Sequence, residues 1–148
     1  MKKILFKTDD RDLAGLVARI TLAVVLFPHG AQKLLGWFGG YGFPGTMEYF
    51  TETRNFPYLV GLLVIILEFI GPLALLAGYA TRFWAFAIVV LMTGIVLTTH
   101  MQNGFFMNWF GNQAGEGIEY GLLAIGLGLV LVKTGGGTLS ADSLIKNY

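Results

Sequence analysis

Leu13 to Leu35 runs for 23 residues in which only Arg19 and Lys33 carry a fixed charge, and three further apolar stretches follow it. A bilayer core about 30 Å thick is crossed by roughly 20 apolar residues, and only as a helix or a closed barrel, because lipid offers no partner to a backbone N–H or C=O. The run therefore predicts a membrane-spanning helix over 13–35, opened by the acidic cluster Asp9, Asp10 and Asp12, which suits a helix N-terminus. A second span is predicted over 58–77, between Pro57, favourable at a helix start, and Gly78, favourable just past a helix end. The third, over 83–101, is separated from it only by Gly78 to Arg82, so the two must form an antiparallel hairpin. Ile118 to Val132 alone would give about 22 Å of helix, so the fourth span is extended to 115–133.

Composition agrees with this reading. Lys and Arg number ten and Asp and Glu nine, 13% of the 148 residues, against about a quarter in soluble proteins. A net charge of +1 without a basic patch excludes a nucleic-acid partner. The absence of cysteine excludes disulfides, iron–sulfur clusters, covalently attached haem and dithiol relays. The polar N-terminal MKKILFKTDDRD has no signal-peptide core, so no cleavage is expected. The expected product is all-α: an integral membrane four-helix bundle, one domain over 1–148 with a tail at 134–148.

Orientation follows from the cations. Lys2, Lys3, Lys7, Arg11, Arg82, Lys133 and Lys146 fall on one side of the predicted spans and Arg54 alone on the other, so both termini are expected in the cytoplasm of a plasma (inner) membrane protein. The two outer loops are rich in rings: Trp37, Phe38, Tyr41, Phe43, Tyr49, Phe50 and Phe56 in the first, Phe105, Phe106, Trp109 and Phe110 in the second. They form either an interfacial aromatic belt or a roof over a cavity that admits a flat apolar ligand. A short interfacial helix is predicted over 46–53, capped by Thr46.

Six ionisable residues lie in or at the ends of the spans: Arg19, His29, Lys33, Glu68, His100 and Glu119. Such groups are costly in lipid and mark either a functional site or a buried pair. At about 100° per residue, His29 and Lys33 share a face with Arg19. All but Arg19 fall in the outer half, from four different helices, so one pocket can collect them. Arg19 either snorkels to the cytoplasmic interface or pairs inside. Glu68 paired with Lys33 or a histidine would fix helix register without chemistry, while Pro28 beside His29 would kink the first span.

A quinone fits these residue types, since it needs donors to its carbonyls and a group that exchanges protons. Haem would need His29 and His100 at one depth, and metal ligation would have to use His29, His100, Glu68 and Glu119 without any ExxH pair, so no metal site is assigned. The expected catalytic residues are Glu68, Glu119 and His29, and the expected quinone- or substrate-binding residues are Lys33, His100, Arg19, Trp37 and Phe105.

The chain resembles the DoxX family of small four-helix membrane proteins over nearly its whole length. Span one is similar to the family's arginine followed by H-G-x-x-K-L, here Arg19 and then His29, Gly30, Lys33 and Leu34. Glu68, Gly71, Gly78, Thr81 and Arg82 match the second part of the pattern, and HMQNGFF from His100 to Phe106, followed by Glu119, the third. The tail departs, with Ser140, Ala141 and Asp142 where the family has S-L-D. The resemblance implies quinone-coupled redox: members include subunits of thiosulfate-to-quinone and terminal quinol oxidoreductases, quinone-stress proteins and membrane partners of superoxide-detoxifying and sulfur-transfer enzymes. The expected role is thus the membrane subunit of a quinone-linked oxidoreductase, with a non-covalent quinone as cofactor and other redox subunits as partners, and catalysis by the chain alone left open. The alternatives are a non-catalytic scaffold recruiting soluble redox enzymes or a small proton-coupled transporter, and assembly as a homo-oligomer is left open.

Overall fold

The computed structural model describes residues 5–145, which contain helices and no strand. Helix α1 spans Leu13–Leu35, α2 Gly42–Glu48, α3 Tyr58–Ala77, α4 Thr81–Ile95, α5 Glu119–Thr134 and α6 Ala141–Ile145. Three segments are long and apolar enough to cross a membrane: Leu13–Leu35, Tyr58–Ala77 and Thr81–Asn103. Helix α5 has 16 residues, about 24 Å, below the usual length of a span. Of the cations used for orientation, Lys2, Lys3 and Lys146 lie outside the described residues.

Local chemistry sets the helix ends. The Asp12 carboxylate accepts from the Ala14 N–H at 2.9 Å and caps α1. Gly36 and Gly78 close α1 and α3 in the left-handed conformation, at φ 74° and 65°, where a side chain would be strained. Along α1 the buried positions Gly15, Ala18, Arg19, Leu22, Ala23, Leu26 and Gly30 form one stripe. It packs against α3 and α5, and α4 packs against α3 and α5 in turn, closing a core that includes Leu75, Ile88, Met92, Ala124 and Leu131. Small residues dominate the inner faces, while large apolar ones such as Val17, Val24, Phe86 and Leu123 are exposed outward. That distribution suits a lipid surrounding.

Three expected boundaries move, the third helix beginning at Thr81 instead of 83. The fourth helix begins at Glu119, not at 115, because residues before it pair with the preceding loop: Ile118 N–H donates to the Gly104 carbonyl and Glu119 N–H to that of Phe105. The loop helix begins at Gly42 instead of Thr46 and runs on through a π-helical turn over Tyr49–Thr53. Pro44 does not stop it, since a first-turn N–H has no helical acceptor to lose. Thr46 is buried inside that helix and caps nothing.

One end of the bundle is tied shut. Arg19, only 2% exposed, does not snorkel and forms no ion pair among the described residues. Its guanidinium donates to five carbonyls: Nε to Gly136 (2.8 Å), Nη1 to Leu75 and Leu76 (3.1 and 2.6 Å), and Nη2 to Thr138 and Leu139 (3.2 and 2.9 Å). Leu75 and Leu76 lie in the last turn of α3, at the negative end of its dipole, and the Leu75 carbonyl accepts from Gly78 N–H as well, at 3.0 Å. Arg82 likewise clamps the carbonyls of Lys7, Val132 and Lys133. The tail returns as a cap, with the buried Asp142 carboxylate accepting from Ala80 N–H at 2.7 Å and Thr81 N–H at 2.9 Å, where α4 has no cap of its own. The departure from the family pattern at Ala141 thus leaves the tail docked. Asp142→Ala is expected to cost about 1–2 kcal/mol, the value of a lost N-cap, and to lower the midpoint of thermal unfolding in detergent. An unchanged midpoint would mean that the tail does not hold α4.

Candidate functional site

At the opposite end of the bundle, Lys33 Nζ on α1 lies 2.6 Å from Glu68 Oε2 on α3. The Glu68 side chain is 5% exposed and that of Lys33 26%. The pair exists because α1 and α3 touch backbone to backbone here. Gly30 sits directly on the Glu68 carbonyl, leaving no room for a Cβ. That carbonyl is free for the contact because Pro72, four residues on, has no N–H to donate to it. The glycine and proline thus bring the helices close enough for a lysine to reach a carboxylate near mid-helix.

The pair, with Ile95, is shared by the linings of two cavities. The larger, about 980 Å³, is lined by Lys33 and Glu68 at its inner wall, by Val60, Val64, Val90 and Leu91 along its sides, and by Tyr41, Tyr49, Phe50 and Phe56 from the loop. Phe50 and Phe56 stack at 6.3 Å between ring centroids, and the Arg54 guanidinium lies 5.7 Å from the Phe56 centroid. Arg54 Nη2 also donates to the Thr98 carbonyl (3.1 Å) and to Thr99 Oγ1 (3.2 Å), tying the loop to the far end of α4. There α4 continues as a π-helical turn over Val96–His100, an irregularity frequent at functional sites. The smaller cavity, about 300 Å³, is lined by His29, His100, Glu116, Tyr120, Met107, Leu26, Met92 and Ile95 as well as Lys33 and Glu68.

The family model described as DoxX matches residues 14–101 of the chain. The chain belongs to the DoxX family. The inner membrane protein YqjF of Escherichia coli K12 is 32% identical over 136 residues, covering 90% of this chain and 93% of that protein. An uncharacterized protein of Haemophilus influenzae is 29% identical over 135 residues, covering 88% and 82%. No solved structure matches significantly. A DoxX-family chain with three helices of membrane-spanning length is a membrane protein.

Of the residues expected in one pocket, Lys33, Glu68, His29 and His100 do converge. Arg19 does not: it is committed to the tied end, where the carbonyls of α3 and the tail consume all its donors. Glu119 lines neither cavity and accepts from Met107 N–H at 3.2 Å, steadying the loop. Trp37 and Phe105 are about half exposed and also lie outside both linings; the roof is built instead from Tyr41, Tyr49, Phe50 and Phe56. Two participants were not foreseen. Tyr120 packs against His29, ring centroids 6.0 Å apart, and shares the inward face of α5 with Ala124 and Leu131, a register readable in the sequence. Glu116 lies in a loop, where no periodicity could announce it.

Removing one partner of a buried pair strands the other charge, at about 3–5 kcal/mol. Lys33→Met is therefore expected to lower thermal stability in detergent by that amount, and Lys33→Met combined with Glu68→Met to recover most of it. Additive losses in the two single variants would show that the charges do not depend on each other.

Proposed function

We propose that this DoxX-family protein is a membrane subunit of a quinone-linked oxidoreductase, crossing the membrane four times with both termini in the cytoplasm. The observation that supports the quinone reading is the Lys33–Glu68 pair on the inner wall of an aromatic-rimmed cavity of about 980 Å³, at the upper end of the usual range for ligand sites. The valine and leucine walls take a substituted ring and the start of its tail, Lys33 Nζ donates to a ring carbonyl, and Glu68 supplies or removes a proton at that oxygen. Reduction to the quinol takes up two electrons and two protons; the electrons come from a redox partner, since the chain has no cysteine with which to hold a dithiol or cluster. The orientation is supported by Lys7, Arg11, Arg82 and Lys133 around the tied end, and the inner membrane by the printed name of the E. coli relative. The 16-residue α5, extended by the ordered residues before it, makes the fourth crossing.

Titration of the purified protein in mild detergent with a short-chain ubiquinone analogue is expected to give saturable binding. Lys33→Met combined with Glu68→Met should weaken it by about tenfold or more, the effect of losing some 1.4 kcal/mol. Only non-saturable partitioning, equal in both proteins, would overturn the reading.

A further inference from the structure

The smaller cavity has a chemistry of its own. Its floor is apolar, formed by Leu26, Met92 and Ile95, while its walls carry ionisable groups from each element packed around it: His29 and Lys33 from α1, Glu68 from α3, His100 from the end of α4, Glu116 from the loop and Tyr120 from α5. Two of these present buried polar atoms, Tyr120 Oη and His100 Nδ1, that have no hydrogen-bond partner among the described residues. Buried polar atoms are rarely left so, and the usual partner in a polar cavity is water. A volume of about 300 Å³ holds several water molecules. At the loop face, Glu116 is held by Asn108 N–H, which donates to its Oε2 at 2.8 Å, and Glu119 accepts from the adjacent N–H of Met107, a residue of the cavity lining.

We propose that this smaller cavity is a hydrated chamber that carries protons between the Lys33–Glu68 pair and the loop face at Glu116, separately from the larger cavity. A proton entering from water at Glu116 passes along chamber waters bonded to His100 and Tyr120, and ends on the Glu68 carboxylate. Neutralising Glu68 frees the Lys33 ammonium to turn toward the larger cavity; loss of that proton by the reverse route restores the pair. Nothing is consumed in the cycle, since one proton enters and the same number leaves. The proposal deepens the functional reading by naming the proton route of the same site, and its test contains no quinone, so the two fail independently.

The chain has no cysteine, so a single introduced thiol is the only one a reagent can find. Because a thiol reacts as its thiolate, labelling by a charged methanethiosulfonate reports access to water. In protein purified in mild detergent, Tyr120→Cys and Met92→Cys should be labelled rapidly, whereas Leu123→Cys, exposed on the outer face of α5 and covered by detergent, should not. Labelling of both chamber thiols no faster than that at 123 would overturn the proposal. Proton passage is read by infrared spectroscopy at acidic pH, on the carboxyl band that Glu68→Gln removes. With the larger cavity blocked by a bulky maleimide on Val64→Cys, that band should still shift when water is exchanged for heavy water. A band that stays put would show that protons reach Glu68 only through the larger cavity.

Discussion

Placing a lysine and a carboxylate against each other within the apolar part of a bundle is costly unless their geometry is held, and the Lys33–Glu68 pair is the constraint around which this end of the molecule is arranged. The two charges meet only because α1 and α3 approach to backbone contact at Gly30 and the Glu68 carbonyl. That approach in turn needs a residue without a Cβ on one helix and a carbonyl released by Pro72 on the other. Pro28, on the same stretch of α1, releases a carbonyl one turn before His29. Helix irregularities that would weaken a soluble bundle here create the opening for a polar site, as non-helical backbone at membrane depth does where it lines a cavity.

The two ends of the bundle divide the work. At one, Arg19, Arg82 and Asp142 satisfy helix-end groups with side chains from distant parts of the chain, so α1, α3, α4, α5 and the tail behave as one block. At the other, two cavities open between the helices, α4 passes into a π-helical turn, and the loops are held by Arg54, Glu116 and Glu119. The closed end fixes where Lys33 and Glu68 stand, and the looser end leaves room for a ligand to reach them. The ion pair belongs to the linings of both the large aromatic cavity and the small polar one, and it is on this shared position that the proposed coupling of ligand contact to proton supply rests.

Much of this was legible in the residues, because lipid penalises charge and unpaired backbone so heavily that each exception stands out. The three long spans and the convergence of His29, Lys33, Glu68 and His100 followed from that penalty, and the helix ends at Asp12, Pro57 and Gly78 from ordinary start and stop chemistry. Arg19 was read with them because it shares their face of α1, but helical periodicity cannot say which end of a helix offers free carbonyls. The capping of α4 by Asp142, some 60 residues away, is non-local and left no local mark. Glu119 and Tyr120 differ by one position, hence about 100° around α5, which was enough to exchange a loop contact for a place in the site. Trp37 and Phe105 were not separable from Phe50 and Phe56 by composition, since which side of a loop a ring takes depends on turns such as that at Phe38, with φ 53°.

Photoaffinity labelling with an azido-substituted short-chain quinone tests most directly whether an amphipathic, ring-shaped ligand occupies the larger cavity against the Lys33–Glu68 pair. Mapping the adducts by mass spectrometry should place them on the cavity walls, in Tyr49–Thr53 and Val90–Thr99, with labelling suppressed by excess unmodified quinone. Adducts spread over outward-facing residues such as Val17, Val24 and Leu123, and insensitive to competitor, would contradict it.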